Sequence, residues 1–330
     1  MIEYYNNRIN EIHITYVISK IFTMVKSLVQ TYQEIRVSSQ PFNFIQDWFL
    51  LALGFGSFFI LVPLLKVAFQ QKWSSHKIDM KLSILMVVFD VLTAADAILV
   101  SFNNLLNIPW NYPNNISCTI NPIISLFIYF TSVCLVAVLS LERCLLIVYK
   151  KEYSDRFYYL IIIFLAITIF AICALTSALN GWGLVATGVY CLFDVSKVGG
   201  IVGSLLSGVL IGSCLIVIFI AYIKICLFRR DRSQVEQVEL GLDPEKVKME
   251  ANSTIIKSLA IIIISAFTNG PFTLLLMMQI IGSNLNTPAI NSISSILINF
   301  NLLTNALILL NMKPELWKGI KSFYGLKIDE

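Results

Sequence analysis

Long apolar segments recur along the chain and are separated by short polar connections. They cover residues 48–69, 82–103, 118–148, 157–179, 199–228, 254–281 and 288–312. Each is long enough for an α-helix to cross the hydrocarbon core of a bilayer, which takes about 20 residues. In lipid only helices or closed barrels satisfy the backbone, and barrel strands alternate apolar and polar residues, which these segments do not. The pattern therefore predicts an all-α membrane protein, a bundle of seven transmembrane helices.

The composition agrees with this class and argues against an enzyme. Hydrophobic residues make up 57% of the chain and charged residues 13%, whereas soluble domains have about 25% charged residues. The two histidines, His13 and His76, lie outside the apolar segments, and the sequence has no phosphate-binding loop and no Cys-x-x-Cys pair. We therefore expect no enzymatic activity.

The apolar segments divide the chain into a bundle at 46–312 and two flanking parts. Residues 1–45 form an amino-terminal segment whose apolar positions fall on one helical face between Val17 and Leu28. This segment is interpreted either as an interfacial helix or as a loosely ordered tail. Residues 313–330 follow the last span, and apolar residues there, such as Trp317, alternate with lysines. That spacing predicts a short amphipathic helix at the membrane surface, followed by a short tail.

Lysine and arginine residues predict the orientation of the bundle. The connection 224–257 has seven of them, and 66–81 and 143–156 have four each, whereas 104–117 and 282–290 have none. Because basic connections stay in the cytoplasm, the amino terminus is expected outside and the carboxyl terminus inside, in the plasma membrane. Topology thus accounts for the net charge of +4, and we expect a lipid bilayer as partner but no nucleic acid.

Two of the seven cysteines are expected on the outer side of the membrane. Cys118 begins the third apolar segment, and Cys191 lies in the connection after the fourth. Since that side is oxidising, they are the natural disulfide pair. Asn115 belongs to a glycosylation sequon on the same side.

Four polar residues at comparable depth in the bundle form a candidate cation site. Asp90 lies in the second span, Ser132 in the third, and Asn301 and Asn305 in the seventh. Carboxylate, hydroxyl and amide oxygens are hard ligands that suit a small cation such as sodium. A hydrogen-bonded polar cluster without an ion is the alternative.

Asp96 lies further out on the second span and is the one acidic residue in the outer half of the spans. It could be the counter-ion of a cationic ligand. A protonated or water-bridged carboxyl group is the alternative.

Glu142 and Arg143 lie side by side at the inner end of the third span. Charges at that depth call for neutralisation, and Glu250 at the start of the sixth span could bridge to Arg143. Anchoring of Arg143 at lipid headgroups is the alternative. Pro271 interrupts the sixth span, which predicts a kink where that helix can swing.

Together these residues resemble the rhodopsin-like family of G protein-coupled receptors. Glu142-Arg143-Cys144 resembles the family's acid-Arg-Tyr motif. The other positions that carry the resemblance are the disulfide cysteines, Trp110 in the first outer loop, Asp90, Tyr222 at the inner end of helix 5, Pro271, and Asn305-Ala306-Leu307-Ile308-Leu309 with Lys313-Pro314 after it. The match runs from about residue 50 to 325.

The sequence also departs from the family pattern. Cys144 replaces the motif tyrosine, Asn269 stands where the helix-6 tryptophan is usual, and Ala306 and Leu309 replace the proline and tyrosine of the helix-7 motif. These departures concern the parts of the family that change conformation, so they bear on coupling to a G protein and not on the fold.

The resemblance also implies where a ligand would bind. Ser125 stands where amine receptors have aspartate, and Asn299 where opsins carry the lysine that binds retinal. We therefore expect no retinal and no required cofactor, and a neutral or lipid-like small molecule as ligand. The residues expected to line its pocket are Asp96, Ser125, Tyr129, Leu206, Ser207, Asn269, Phe272, Thr273, Ser295 and Asn299.

The expected function is that of a receptor that moves helix 6 outward and exposes Arg143 to a heterotrimeric G protein. Glu142, Tyr222 and Glu250 are the other residues expected to take part in coupling. A seven-helix transporter or channel is an alternative, although its sequence would be expected to contain internal repeats or a chain of ionisable groups in the spans. A receptor-shaped protein that no longer couples is a third interpretation.

Overall fold

The computed structural model describes residues 30–70, 72–108, 116–239, 244–281 and 287–325. The helices in these ranges are α1 (30–38), α2 (Phe42–Ala68), α3 (Ile78–Leu105), α4 (Ser117–Ile147), α5 (Asp155–Ala178), α6 (Val198–Glu239), α7 (Pro244–Ile280), α8 (Pro288–Met312) and α9 (Pro314–Phe323). The predicted helix at Val17–Leu28, Trp110, the sequon at Asn115 and the end of the tail lie outside the described residues.

Helices α2 to α8 are the seven transmembrane helices that the hydrophobic pattern predicts. Each contains a window apolar enough to cross a membrane. Neighbours along the chain pack side by side, and α8 closes the bundle against α2. Helix α4 is the most buried of the seven and α5 the most peripheral. The prediction of an all-α, seven-helix bundle is confirmed.

The amphipathic helix after the last span is also present. In α9, Leu316 and Ile320 are buried and belong to the same apolar cluster as Leu61 and Leu64 of α2. Trp317 lies at the edge of this apolar face and is exposed. Helix α9 therefore packs its apolar face onto one end of the bundle, which is called the inner end below, and the opposite end is called the outer end.

Helices α6 and α7 extend much further than their apolar segments. The connection 224–257 was expected to separate two spans, but α6 continues to Glu239 and α7 begins at Pro244. The added turns are rich in Arg, Lys and Glu, which favour helix where they are solvated. Helix α7 also continues through Pro271.

A short β-hairpin lies between α5 and α6, where no strand was predicted. Strands β1 (Trp182–Leu184) and β2 (Cys191–Phe193) pair antiparallel, with Trp182 opposite Phe193. The turn places Gly188 at φ +69°, which glycine tolerates best. The hairpin thus brings Cys191 over the outer end of the bundle.

Candidate functional site

A cavity of about 720 Å3, including its open mouth, lies in the outer half of the bundle. Its walls come from α2, α3, α4, α7, α8 and the β-hairpin. Among the residues expected around a ligand, Asp96, Ser125, Tyr129, Phe272 and Asn299 line it. Most of the remaining lining is apolar, as in typical small-molecule sites.

The other five expected pocket residues do not line this cavity. On α6, Leu206 is exposed at the outer surface and Ser207 is fully buried. The cavity lies nearer to α2 and α3 than the expected ligand pocket, so α6 does not reach it. Asn269, Thr273 and Ser295 lie behind the lining, on α7 and α8.

Two of these residues act as supports for the lining. Asn269 accepts a hydrogen bond from the Tyr129 hydroxyl, and Ser295 shares one with the Tyr190 hydroxyl of the hairpin turn. Burial raises the pKa of Tyr190 to about 12, although the bond with Ser295 lowers it. Tyr190 therefore stays protonated and joins the hairpin to α8.

Sequence reasoning missed lining residues on α2, on α3 and in the hairpin. Leu50, Val100 and Tyr190 line the cavity. Leu50 and Val100 are ordinary apolar residues within spans, so their type carries no signal. Tyr190 directly precedes Cys191, and this position next to a disulfide cysteine is the one sequence signal that it lies near the cavity.

Asp96 and Ser125 form the polar part of the cavity wall. The Ser125 hydroxyl donates to the Asp96 carboxylate over 2.6 Å. Asp96 is the charged side chain among the described residues of the lining, and no ion pair within 4 Å involves it in the described ranges. Among the described residues, the Asp96 carboxylate at the cavity wall is thus contacted by the Ser125 hydroxyl and by no cationic side chain.

The structure brings together three of the four residues of the candidate cation site. Ser132 donates to one oxygen of Asp90 over 2.5 Å, and Asn305 donates to the other over 3.2 Å. Asn301 instead accepts a long hydrogen bond of 3.4 Å from Thr268. Asp90 is buried, so these two donors provide the polar contacts that a carboxylate needs inside a bundle.

A line of polar contacts runs from the cavity floor toward this cluster. Tyr129 donates to Asn269, whose amide donates to Thr268 over 3.1 Å. The Thr268 hydroxyl donates to the Ile264 carbonyl of its own helix over 2.9 Å and also lies 3.4 Å from the Asn301 amide oxygen. Asn301 lies one helical turn from Asn305 on α8. Asn269, which takes the place of the family's tryptophan, is thus a polar link between two parts of the bundle.

Arg143 is buried at the inner end of α4, and its contacts differ from those expected. Its guanidinium donates to the Tyr222 hydroxyl over 3.2 Å and lies 2.7 Å from the Met312 sulfur. Glu142 forms no ion pair with Arg143, and its Oε2 has no hydrogen-bond partner among the described residues. Adjacent residues on a helix point apart, which explains the difference. The Glu250 side chain lies outside the description.

The region around Arg143 contains a cavity of about 370 Å3. Tyr222, Ile261, Asn305 and Met312 are among its lining residues. The inner ends of α4, α6, α7 and α8 therefore meet around a buried guanidinium beside a small cleft.

The outer end of the bundle is covalently closed. Cys118 of α4 and Cys191 of β2 form a disulfide, with Cα atoms 5.4 Å apart, so the predicted pairing is confirmed. The other five cysteines are free. Since Cys191 also lines the cavity, the bridge holds the hairpin over it.

A buried polar network, absent from the sequence-based predictions, ties α1 to the outer end. Arg36 of α1 forms a 3.1 Å ion pair with Asp47 of α2, whose carboxylate is fully buried. Asn104 of α3 donates to Asp47 over 2.9 Å and to the Val189 carbonyl of the hairpin over 2.8 Å. The Tyr32 hydroxyl links Arg36 to Asn104. Residues 30–38 are therefore a fixed part of the outer surface.

Comparison with known proteins identifies the fold and the family. A model of the seven-transmembrane receptors of the rhodopsin family matches residues 48–309. The crystal structure of squid rhodopsin superposes with a TM-score of 0.69 at 14% identity, covering 92% of this chain and 89% of that one. No curated protein sequence matches. Because the family model covers well over half of its length, the chain belongs to the rhodopsin family of seven-transmembrane receptors.

Proposed function

We propose that this receptor binds a small ligand in the outer cavity and passes the signal to a heterotrimeric G protein at its inner end. The observation that carries the proposal is the line of polar contacts from Tyr129 through Asn269 and Thr268 to Asn301. It begins at the cavity floor and ends one turn from Asn305, which lines the cavity around Arg143. A ligand that shifts Tyr129 would thereby alter packing near Arg143.

The receptor is proposed to lie in the plasma membrane with the cavity facing outward. The basic connections and tail support this orientation, as does the disulfide at the opposite end, since bridges form on the oxidising side. The inner ends of α6 and α7 then project into the cytoplasm.

The ligand is proposed to be a small, uncharged or lipid-like molecule, taken from outside or from the membrane. The mostly apolar lining supports this class, with Asn299 available for a hydrogen bond. No lysine lines the cavity among the described residues, which supports a receptor without retinal.

Asp96 supports a second ligand class, a molecule with one cationic group. Melting temperatures of the purified protein with 3-phenylpropylamine and with the isosteric 3-phenylpropanol separate the two classes. Selective stabilisation by the amine that Asp96→Asn abolishes would identify a cation site. Equal stabilisation by both compounds supports the uncharged class.

Coupling is proposed to begin when α7 moves and Arg143 leaves Tyr222 and Met312. A ligand drives this step only through different affinities for the two states. The freed guanidinium would then donate to carbonyl oxygens of the G protein through its planar fork. Glu142 would balance its charge at the membrane edge, and Glu250 would contact the partner. A sodium ion on Asp90, Ser132 and Asn305, with Asn301 turning toward it from one helical turn away, is proposed to favour the resting state.

Nucleotide exchange on mixed heterotrimeric G proteins tests coupling with purified receptor. Arg143→Ala is expected to remove exchange and leave the melting temperature nearly unchanged. Tyr222→Phe should raise basal exchange, because it removes a restraint on Arg143. The matched control is Arg156→Ala, since Arg156 lies at the same membrane face and is exposed.

Two results would reject the proposal. Normal exchange in Arg143→Ala would remove Arg143 from the mechanism. No exchange by the wild-type protein with any G protein, despite correct surface expression, would favour a receptor-like protein that no longer couples, or a transporter.

A further inference from the structure

A second large cleft lies between the inner ends of α7 and α8. Its volume is about 490 Å3, and Ile261, Ile264, Leu307 and Ile308 form much of its apolar wall. Leu307 is half exposed at the surface of the bundle. Both helices are transmembrane at this level, so the cleft is open to the acyl chains of the surrounding lipid.

Lys257 and Asn311 form the polar rim at the inner end of this cleft. The structure gives no ion pair for the Lys257 ammonium and no hydrogen bond for the Asn311 amide within the described ranges. The hydroxyl of Thr304, which also lines the cleft, is satisfied by carbonyls of its own helix. The polar groups available to an occupant are therefore confined to the rim.

Three other lysines at the same end of the bundle are already engaged. Lys81 pairs with Asp155 and Lys313 with Asp79, and Lys224 donates to the Tyr149 hydroxyl. Lys257 thus differs from them in combining an unpaired charge with an apolar cleft beside it.

We infer that the cleft binds an anionic phospholipid of the inner leaflet. One acyl chain would pack along Ile261, Ile264 and Ile308, while the phosphate accepts hydrogen bonds from Lys257 and Asn311. The inner leaflet is rich in anionic lipids, which attract basic residues near its surface. The inference relies on the proposed orientation, but not on the ligand or on coupling.

The occupied cleft would also stabilise the resting contacts of Arg143. Ile261, Ile308 and Met312 line both this cleft and the cavity around Arg143. An acyl chain against these side chains would hold Met312 at the guanidinium. The lipid is therefore a regulator of the position of α7 relative to α8.

Photo-crosslinking of the full-length protein in vesicles tests the site. The probes are phosphatidylglycerol and phosphatidylcholine that carry the same diazirine acyl chain, and mass spectrometry maps the labelled peptides. Phosphatidylglycerol is expected to label peptides that contain Ile261–Ile264 or Ile308 about fivefold more, which corresponds to about 1 kcal/mol for one lysine near an anionic surface.

Three variants show whether the rim and the cleft are responsible. Lys257→Ala should reduce labelling by phosphatidylglycerol to that by phosphatidylcholine, and Lys257→Arg should retain the preference. Lys318→Ala is the matched control, because Lys318 is exposed on α9 at the same face. Ala260→Phe, at a cleft position, should reduce labelling by both lipids.

Several outcomes would overturn the inference. These are equal labelling by both lipids, labelling that maps elsewhere, and a preference that Lys257→Ala leaves unchanged. Receptor-to-receptor crosslinks at the cleft without lipid adducts would assign it to a second copy of the chain. None of these measurements involves a G protein or the ligand of the outer cavity, so failure here would leave the proposed function standing.

Discussion

The outer and inner ends of the bundle are held together in different ways. The outer end has the Cys118–Cys191 disulfide and the Arg36–Asp47 ion pair, whose carboxylate is fully buried. At the inner end, Arg143 meets one hydroxyl and one sulfur, and cavities flank it. Since regions with few buried contacts open most easily, motion is expected to concentrate at the inner end. A rigid cap over the ligand cavity and a loosely packed coupling end fit a receptor.

Among the changes that test this comparison, removal of the disulfide should lower the stability of the protein most. The double variant Cys118→Ser/Cys191→Ser avoids a lone thiol and should lose about 2–5 kcal/mol of stability, because the bridge constrains a long loop. Thermal denaturation of the purified protein measures the loss. Cys226→Ser, at a partly buried free thiol, should melt close to the wild type. Equal melting of the double variant and the control would show that the bridge does not stabilise the cap.

The buried ion pair should have the next largest effect. Asp47→Asn leaves the Arg36 guanidinium without its anion and is expected to cost about 2 kcal/mol, since hydrogen bonds to charged groups are among the stronger ones. The same melting experiment measures this, with exposed Asp231→Asn as control.

A double variant, Arg36→Gln/Asp47→Asn, sharpens this test. It should recover part of the loss, because no buried charge is left uncompensated. Strictly additive losses from the two substitutions would show that Arg36 and Asp47 act independently.

Sodium should stabilise the middle of the bundle by a smaller amount. At sodium concentrations about tenfold above the dissociation constant, binding would add about 1.4 kcal/mol. The wild type should melt higher in sodium than in N-methylglucamine at matched ionic strength, and Asp90→Asn should remove the difference. Asp96→Asn should preserve it. Identical melting of the wild type in both cations would reject the sodium site.

The smallest effect is expected at the inner end. Lys313 of the α8–α9 junction pairs with Asp79 over 2.7 Å, and both side chains are partly exposed. Lys313→Met keeps the apolar stem and should cost at most about 1 kcal/mol, as for other exposed ion pairs. A loss as large as that of Asp47→Asn would mean that the inner end is no looser than the outer end.

Most of the fold could be predicted from sequence, because the length of an apolar segment alone determines whether a helix spans the bilayer. The disulfide could be predicted because both cysteines were expected on the oxidising side of the membrane. Helix α9 could be predicted from the spacing of apolar residues and lysines after the last span. The Arg36–Asp47 and Asn104–Val189 contacts could not be predicted, since they join distant positions whose residue types fit many surroundings. Whether α6 reaches the cavity depends on the rotation and distance of whole helices, so the sequence could not show that Leu206 and Ser207 lie away from its lining. The sequence places Glu142 beside Arg143, but it could not show that the guanidinium turns toward Tyr222 and Met312.

The length of α7 has a mechanical consequence. The helix continues from Pro271 to Pro244, which at 1.5 Å per residue is a lever of roughly 40 Å. Ile261, at the level of Arg143, lies much closer to the pivot. A tilt about Pro271 would therefore move the Pro244 end of α7 more than twice as far as it moves the wall beside Arg143. The helical extension amplifies a small repacking under the cavity into a large displacement where a partner would dock.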